Sequence, residues 1–307
     1  MDEQKTSTPM KAADAFDQKL LDLFDRYVHG LIDRRAFLDG AAKFAVGGIS
    51  AAALLDALSP RFAQAQQVPP DDKRIKATNV NFPSPQGSGA KARGYFARPV
   101  SARKGKLPAV LVIHENRGLN PHIEDVTRRL ALEGYLAFAP DSLAPLGGYP
   151  GDEDKARALF GTLDQNKARE DFVAAVGYLG KRPDATGKVA TVGFCYGGAM
   201  AGTLATRIPT LAGAVAFYGT APKEAADVAR IKAPLLLHYA ENDERVNATV
   251  ADFKTALDAN HVKYELHRYP GTQHGFHNDT TPRYDKAAAT LAWRRTLDFF
   301  AKHLGKS

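Results

Sequence analysis

The sequence predicts an α/β protein with an open, mostly parallel central sheet and helices on both of its faces. From residue 75 onward, short apolar runs alternate with segments of helical period, the pattern of strands connected by crossover helices. The run Pro108–His114 (PAVLVIH) is apolar throughout, which is typical of a strand buried on both faces. The composition, 44% hydrophobic and 24% charged, supports a packed core.

The elements follow in a regular order. The first two strands flank a Gly/Ser-rich turn at 84–89 and predict an edge hairpin, and Gly134 predicts the end of the helix that Asn120 caps and Pro121 opens. Strands are predicted at Ile75–Phe82, Ala92–Ala97, Pro108–His114, Tyr135–Ala139, Lys188–Gly193, Gly213–Tyr218, Pro234–Tyr239 and Tyr264–Tyr269. Helices are predicted at Pro121–Glu133, Asp154–Leu163, Lys167–Gly180, Gly197–Arg207, Val250–Asn260 and Pro282–Leu304.

Composition excludes several classes of protein. No uncharged apolar run approaches the ~20 residues of a membrane span, which rules out a polytopic membrane protein. The single cysteine excludes an intrachain disulfide and a multi-cysteine zinc site. The net charge of +7 is spread along the 307 residues, so we interpret it as favouring solubility and expect no nucleic-acid partner.

The first 65 residues differ from the rest and allow two interpretations. Arg34-Arg35, a mildly apolar stretch over 44–58 and the small residues Ala63-Gln64-Ala65 resemble a twin-arginine export signal, which predicts a periplasmic protein without stable membrane insertion after processing. The alternative is a helical arm of a cytoplasmic protein, packed on the main domain or serving in oligomerisation, because residues 16–35 have a helical apolar period. Residues 66–74 are polar and Pro-rich, predicting an exposed linker, and 75–307 form one domain.

The only cysteine has the sequence context of a catalytic nucleophile. Cys195 lies in GFCYGG at 193–198, between a predicted buried strand and an Ala/Gly-rich helix, which is the strand–turn–helix setting of a nucleophile elbow. Glycines two positions on either side allow strand and helix to approach closely, and the helix N-terminus favours a thiolate and a developing oxyanion. The alternative is an inert core cysteine.

An α/β-hydrolase fold would place an acid and then a histidine after the nucleophile. Asp243 follows the predicted strand Pro234–Tyr239, with Glu241 as its rival, and His274 lies in the Gly-rich loop after the last strand. These positions predict that Cys195 attacks, that His274 exchanges protons and that Asp243 orients the imidazole. Asp243 could instead be a helix cap. We expect no metal, although His277 forms a His-x-x-His pair with His274.

Four motifs together resemble the dienelactone hydrolase (carboxymethylenebutenolidase-like) family of α/β-hydrolases: HENRGLN at 114–120, GFCYGG at 193–198, END at 241–243 and QHGF at 273–276. The resemblance implies that Glu115 holds the resting thiol and helps to deprotonate it, unless Glu115 only pairs with Arg117 or Arg128. It also implies an oxyanion hole formed by the backbone N–H groups of Tyr196 and Asn116. The family's substrate-binding arginine is absent just after His274, where the first arginine is Arg283, and Arg117 is a candidate substitute.

The sequence thus predicts a hydrolase that cleaves an ester or lactone through an acyl-enzyme, with a small-molecule substrate and no cofactor. Two other functions are compatible with these residues: a thiol redox or peroxide-sensing protein, and a non-catalytic binding protein on a hydrolase scaffold. The sequence indicates neither the oligomeric state nor the particular substrate.

Overall fold

Eight strands form one sheet in the residues that the structure, a computed structural model, describes: 13–100, 105–222 and 225–305. The strands are β1 Ile75–Asn81, β2 Arg93–Pro99, β3 Leu107–Ile113, β4 Leu136–Pro140, β5 Ala185–Phe194, β6 Gly213–Phe217, β7 Leu235–Asn242 and β8 Tyr264–Gln273. Their order across the sheet is β1-β2-β4-β3-β5-β6-β7-β8. β1 and β2 pair antiparallel at one edge, and the strands from β4 to β8 are parallel. The predicted fold class is confirmed.

Twelve α-helices accompany the sheet in the described residues. They are α1 Gln18–Val28, α2 Arg34–Ala41, α3 Ala51–Leu58, α4 Phe62–Ala65, α5 Pro121–Leu132, α6 Glu153–Gly161, α7 Gln165–Gly180, α8 Tyr196–Arg207, α9 Ala225–Val228, α10 Glu244–Asn247, α11 Val250–Ala259 and α12 Lys286–Phe300. α12 continues as a π-helical turn over Ala301–Gly305.

Alternate residues of the central strands build two cores. Ala109, Leu111 and Ile113 of β3 join the cluster formed with α7, α8 and α11, whereas Val110 and Val112 join the cluster formed with α5 and α12. This alternation follows from the two-residue period of a strand, whose successive side chains point to opposite faces. Helices therefore cover both faces of the sheet, and its carboxyl end is left for the loops that carry the polar residues.

The element bounds differ from the predictions mainly at the carboxyl end of the sheet. β7 extends to Asn242 and β8 to Gln273, so both strands reach almost to the predicted acid and histidine. The last helix begins at Lys286 rather than Pro282, because the carboxylate of Asp285 accepts from the N–H of Ala288 and caps it.

The N-terminal arm, which we define as residues 13–65, folds as α1–α4; the first twelve residues of the predicted 1–65 segment lie outside the described part. The helical period over 16–35 does not give one helix: α1 ends at Val28, Gly30 has a left-handed φ of 74°, and Asp33 caps α2 by accepting from Ala36 N. The apolar positions of α1, α2 and α3 form a cluster of their own.

The predicted linker at 66–74 is mostly exposed but is anchored at Val68. Val68 is 4% exposed and packs with Ile75, Ala97 and Ala131. Its N–H donates to Asp125, whose carboxylate also accepts from the N–H of Gln67. The end of the arm is thereby fixed to α5 rather than tethered loosely.

The described residues contain no helix with both the length and the apolar character needed to cross a bilayer.

Candidate active site

Cys195 lies on a strained turn between β5 and α8. Its φ and ψ are 55° and −111°, a left-handed conformation that costs an L-residue energy and is retained where surrounding structure imposes it. The N–H of Cys195 donates to the carbonyl of Phe217 on β6 at 3.0 Å, which holds the turn against the sheet. Cys195 is 9% exposed and borders a cavity, so the thiol is reachable from solvent.

The two glycines flanking the turn are required by backbone contact. A Cβ on Gly193 would overlap the carbonyl group of Gly197, and a Cβ on Gly197 would overlap the carbonyl group of Ile113 at the end of β3. The close approach predicted from the GFCYGG motif is therefore present. It places the first turn of α8 directly above the ends of β3 and β5, with Tyr196 as its first residue.

His274 and Asp243 are brought together at the ends of β8 and β7. Nδ1 of His274 lies 2.6 Å from Oδ2 of Asp243. Burial alone would lower the pKa of His274, but interaction with the Asp243 carboxylate and with Cys195 outweighs this effect and raises the pKa to about 9. Nε2 of His274 is buried and has no hydrogen-bond partner among the described residues.

Asp243 contacts His274 and also caps helix α10, whereas Glu241 has another hydrogen-bond partner. The other Asp243 oxygen, Oδ1, accepts from the N–H of Val246 at 3.3 Å and caps α10. Glu241 is exposed, and its Oε2 accepts from the N–H of Gly271 at 2.7 Å. The geometry therefore favours Asp243 over Glu241 as the partner of His274.

Glu115 follows β3 and lies at the same cavity, but its hydrogen bond goes to Asn278. Nδ2 of Asn278 donates to Oε2 of Glu115 at 2.9 Å. The alternative pairing with Arg117 or Arg128 is not found: the closest carboxylates are Glu153 for Arg117, at 3.5 Å, and Asp125 for Arg128, at 3.6 Å. Within the described residues, Glu115 also makes no hydrogen bond to Cys195.

Asn116 and Arg117 contact the N-terminal arm. Nδ2 of Asn116 donates to the carbonyl of Val28 at 2.9 Å, and one guanidinium nitrogen of Arg117 donates to the same carbonyl at 3.0 Å. A second Arg117 nitrogen donates to the side-chain oxygen of Asn116 at 2.7 Å. Burial lowers the pKa of Arg117 despite the nearby Glu153. These contacts fix the loop that carries the backbone N–H of Asn116.

His277 belongs to the core and does not pair with His274. Its ring stacks on Phe194 with a centroid distance of 5.3 Å and lies 5.5 Å from the ring of Trp293. Burial lowers its pKa to about 3, so it is neutral at ordinary pH. The ring of His277 is therefore part of the packing between the sheet and α12.

The structure adds a residue that sequence reasoning did not find. His29, directly after α1, places Nε2 at 3.3 Å from Sγ of Cys195, and its ring meets that of His274 edge-on at 4.7 Å. Nδ1 of His29 lies 2.8 Å from the carbonyl and 3.2 Å from the carboxylate of Asp25, one turn earlier in the helix. Only the helical period of the arm pointed to this segment, and nothing in its sequence indicated contact with Cys195.

These three side chains also form a possible metal-binding group. The ligand atoms of His29, Cys195 and His274 lie within 4.8 Å of one another, and two imidazoles with a thiolate suit a cation such as Zn²⁺. However, a cationic guanidinium nitrogen of Arg245 lies 2.9 Å from Nε2 of His29, where it would compete with a metal ion for the lone pair and repel it. The arrangement therefore favours a metal-free thiol.

A cavity of about 470 Å³ lies between the arm and the carboxyl end of the sheet. The body contributes Cys195 and His274, and the arm contributes Phe24, His29 and Leu55. Arg283, the first arginine after His274, also lines it and donates to Oδ1 of Asp25 at 3.2 Å. A pocket of this size accommodates a small organic substrate.

Comparison with known proteins finds matches to two family models along the chain. Residues 92–304 match the model of the dienelactone hydrolase family, and residues 8–44 match a model described as YqhI-like. The second match covers α1 and α2 and so includes His29.

Individual relatives agree with the first match. An Escherichia coli K12 protein, provisionally named a carboxymethylenebutenolidase, is 34% identical over 264 residues, covering 81% of this chain and 95% of its own. The E. coli hydrolase fragment YghX, also a provisional name, is 52% identical over 116 residues, covering 38% of this chain and 97% of its own. A Klebsiella pneumoniae crystal structure, provisionally titled a dienelactone hydrolase, has a TM-score of 0.67 and 31% identity, covering 74% of this chain and 99% of its own. The chain belongs to the dienelactone hydrolase family of ester and lactone hydrolases.

Proposed function

We propose that the protein hydrolyses a small carboxylic ester or lactone through an acyl-enzyme on Cys195, with His274 and Asp243 completing a triad. The observation that carries the proposal is the buried His274–Asp243 hydrogen bond of 2.6 Å beside the only cysteine of the chain, which lies on a strained turn. A histidine oriented by a carboxylate next to a thiol is the arrangement that nucleophilic catalysis requires.

Acylation begins with attack of the Cys195 thiolate on the substrate carbonyl carbon, which forms an S–C bond. The carbonyl oxygen becomes an oxyanion, for which the backbone N–H groups of Tyr196 and Asn116 are the proposed donors. Tyr196 supports this role because it is the first residue of α8, where N–H groups lack helical partners. The C–O bond then breaks, and the leaving oxygen takes the Nε2 proton of His274.

Deacylation returns that proton. Neutral His274 takes a proton from water through Nε2, the resulting hydroxide attacks the thioester, and the S–C bond breaks to release the acid and the thiolate. Asp243 supports both directions, since its carboxylate fixes the tautomer in which Nε2 faces the reaction and stabilises the imidazolium. The pKa of about 9 means that His274 is protonated near neutral pH and ready to donate when the leaving group departs.

The substrate class follows from the cavity and from the relatives. A volume of about 470 Å³ limits the substrate to a small molecule, and the family is described as one of dienelactone hydrolases, with the 34% identical E. coli relative provisionally named a carboxymethylenebutenolidase. The guanidinium group of Arg283 lines the cavity, which supports a substrate that carries a carboxylate.

Trapping of the acyl-enzyme tests the proposal. Wild-type protein mixed with p-nitrophenyl acetate should release a burst of p-nitrophenol equal to the enzyme concentration, and mass spectrometry should find the acetyl group on Cys195. Cys195→Ala should show neither, with an unchanged melting temperature as evidence of folding. Steady hydrolysis by Cys195→Ala, or oxidation of Cys195 by peroxide without any esterase activity in wild type, would contradict the proposal.

A further inference from the structure

We propose that His29 of the N-terminal arm is a catalytic residue that holds the resting thiol of Cys195 and takes its proton. The inference rests on the proposed function, since it concerns the same nucleophile. Its starting point is the 3.3 Å distance between Nε2 of His29 and Sγ of Cys195, a hydrogen-bond distance for sulfur.

The surroundings of His29 leave Nε2 as the proton acceptor. Nδ1 faces two acceptors of Asp25, its carbonyl at 2.8 Å and its carboxylate at 3.2 Å, so Nδ1 carries the hydrogen. Arg245 can only donate, and its nitrogen at 2.9 Å from Nε2 requires an unprotonated Nε2. The thiol hydrogen of Cys195, with Sγ at 3.3 Å, therefore shares the single lone pair of Nε2 with this guanidinium N–H.

A second histidine–carboxylate pair thus converges on the cysteine. Asp25–His29 comes from the arm and Asp243–His274 from the body, and the two rings meet edge-on at 4.7 Å. The duplication separates two tasks that a single histidine would otherwise share. His274 exchanges protons with the leaving group and water, whereas His29 deals with the thiol.

The priming step is a single proton transfer. The S–H bond of Cys195 breaks and an N–H bond forms on Nε2 of His29, which leaves a thiolate beside an imidazolium. The carboxylate of Asp25 balances the new positive charge. The hydrogen bond from Arg245 is lost, because a protonated Nε2 no longer accepts, and this half-buried guanidinium borders a second, solvent-open cavity into which it can turn.

The arrangement also explains the hydrogen bond of Glu115 to Asn278. With the thiol on His29, the carboxylate that the family resemblance assigns to the thiol is free to hold Asn278 at 2.9 Å. Charged groups from every neighbouring element surround the His29–Cys195 pair: Asp25 on α1, Glu115 and Arg117 after β3, Arg245 on α10, His274 after β8, and Arg283 before α12.

Alkylation of Cys195 tests the proposal without any substrate. Because the chain has one cysteine, the rate of iodoacetamide labelling of the full-length protein between pH 5 and 9 reports the thiolate at this position alone. His29→Gln keeps the length and a hydrogen-bond acceptor but cannot take a proton. We expect its labelling rate at pH 6 to fall at least tenfold below wild type and to approach wild type at pH 9. The control is His267→Ala, which removes a histidine that stacks on His238. Its labelling rate should equal that of wild type at every pH.

Comparison of His29→Gln with Glu115→Gln decides between the two candidate proton acceptors. A profile of His29→Gln that superimposes on wild type, or a shifted profile confined to Glu115→Gln, would overturn the assignment. If His29→Gln does not fold, His29→Ala supplies a second test. Added imidazole should then restore the labelling rate of His29→Ala at pH 6. If imidazole fails to restore it in the folded variant, the proposal is contradicted. Labelling of Cys195 requires no hydrolysis. If the wild type had no esterase activity, the proposed function would be wrong, but the labelling rates would still show whether His29 deprotonates Cys195.

Discussion

Nδ1 of His274 and Oδ2 of Asp243 lie 2.6 Å apart, with side chains that are only 5% and 2% exposed. At this burial the pair is poorly screened, and the Asp243 carboxylate, together with the neighbouring Cys195, raises the pKa of His274 to about 9 against the opposing effect of burial. An imidazolium is therefore built into the resting site. The strands that carry the pair, β7 and β8, are adjacent and parallel, so their carboxyl ends bring the two residues together.

Asp243→Asn should reduce kcat about 10⁴-fold, because an amide neither stabilises the imidazolium nor enforces its tautomer. The matched control is Glu241→Gln, two residues earlier, whose carboxylate is exposed and holds only the N–H of Gly271. It should change kcat less than about threefold, as expected for a surface contact. Steady-state hydrolysis of p-nitrophenyl acetate gives kcat for both variants. If kcat fell strongly in Glu241→Gln and hardly changed in Asp243→Asn, the acid that pairs with His274 would be Glu241.

Stability should be greatest near pH 6.5. The folded pKa of His274 is raised to about 9 from 6.5, so its contribution to stability is present below pH 6.5 and is lost as the pH rises through 9. His114 and His277 behave oppositely: burial lowers their pKa values to about 4 and 3, so unfolding gains protons and stability falls as the pH drops below 6.5.

Melting temperatures measured between pH 4 and 9.5 test this dependence of stability on pH, with its maximum near pH 6.5. In Asp243→Asn the alkaline decline between pH 6.5 and 9 should flatten, whereas the acid side should stay as in wild type. An alkaline decline of the same steepness in both proteins would show that the charge of Asp243 does not hold the proton on His274.

The fold could be predicted closely because the strands are short apolar runs with clear ends. All eight predicted strands are present, and the continuous apolar character of Pro108–His114 reflects its burial between helices on both faces. The errors are at termini: β8 runs four residues past Tyr269, through Pro270 and Gly271, because pairing with β7 resumes at Asn242 and Gln273 after an irregularity. Local sequence carries no signal for such a long-range pairing.

Only those residues of the candidate site that directly follow a strand of the sheet could be predicted from the sequence. Cys195, Asp243 and His274 each lie at the carboxyl end of a strand, and sheet topology makes those ends converge. His29 and Arg283 reach the same cavity by tertiary packing of a helical arm and a loop, which no spacing in the sequence encodes. The hydrogen bond of Glu115 to Asn278 likewise joins residues 163 positions apart.

Gly197→Ala should damage the turn that presents Cys195. The added methyl would overlap the backbone of Ile113, and because backbone cannot give way cheaply we expect a loss of about 1–3 kcal/mol in the free energy of unfolding, with reduced hydrolysis. Gly177→Ala is the matched control: Gly177 is exposed within α7 and its Cβ would meet nothing within 4 Å, so about 0.5–1 kcal/mol should be gained. Urea titrations compare the two, and a neutral Gly197→Ala would refute the crowding argument.

Arg117→Ala should impair neutral and anionic esters equally. Arg117 was predicted from the sequence to bind substrate, but its nitrogens donate to Asn116 and to the carbonyl of Val28, and Glu153 lies 3.5 Å from its Nε. We therefore expect a similar fall in kcat/KM for phenyl acetate and for a monoester of a dicarboxylic acid, since the variant loosens the arm. A KM increase confined to the anionic ester would instead support a carboxylate-binding role for Arg117.

The protein from its native host should retain His29. Export through Arg34-Arg35, the other interpretation of this segment, predicts cleavage near Gln66, which would remove α1–α4 with the imidazole that contacts Cys195. Removal of the arm would also break its contacts with the body. Among these contacts are the hydrogen bonds of Asn116 and Arg117 to Val28 and of Arg283 to Asp25. We expect N-terminal sequencing of the purified enzyme to find a start before residue 18. The control is Arg34→Lys/Arg35→Lys, which should leave that start unchanged. A fully active native enzyme that begins near Gln66 would show that the arm is a signal and that His29 has no part in the reaction.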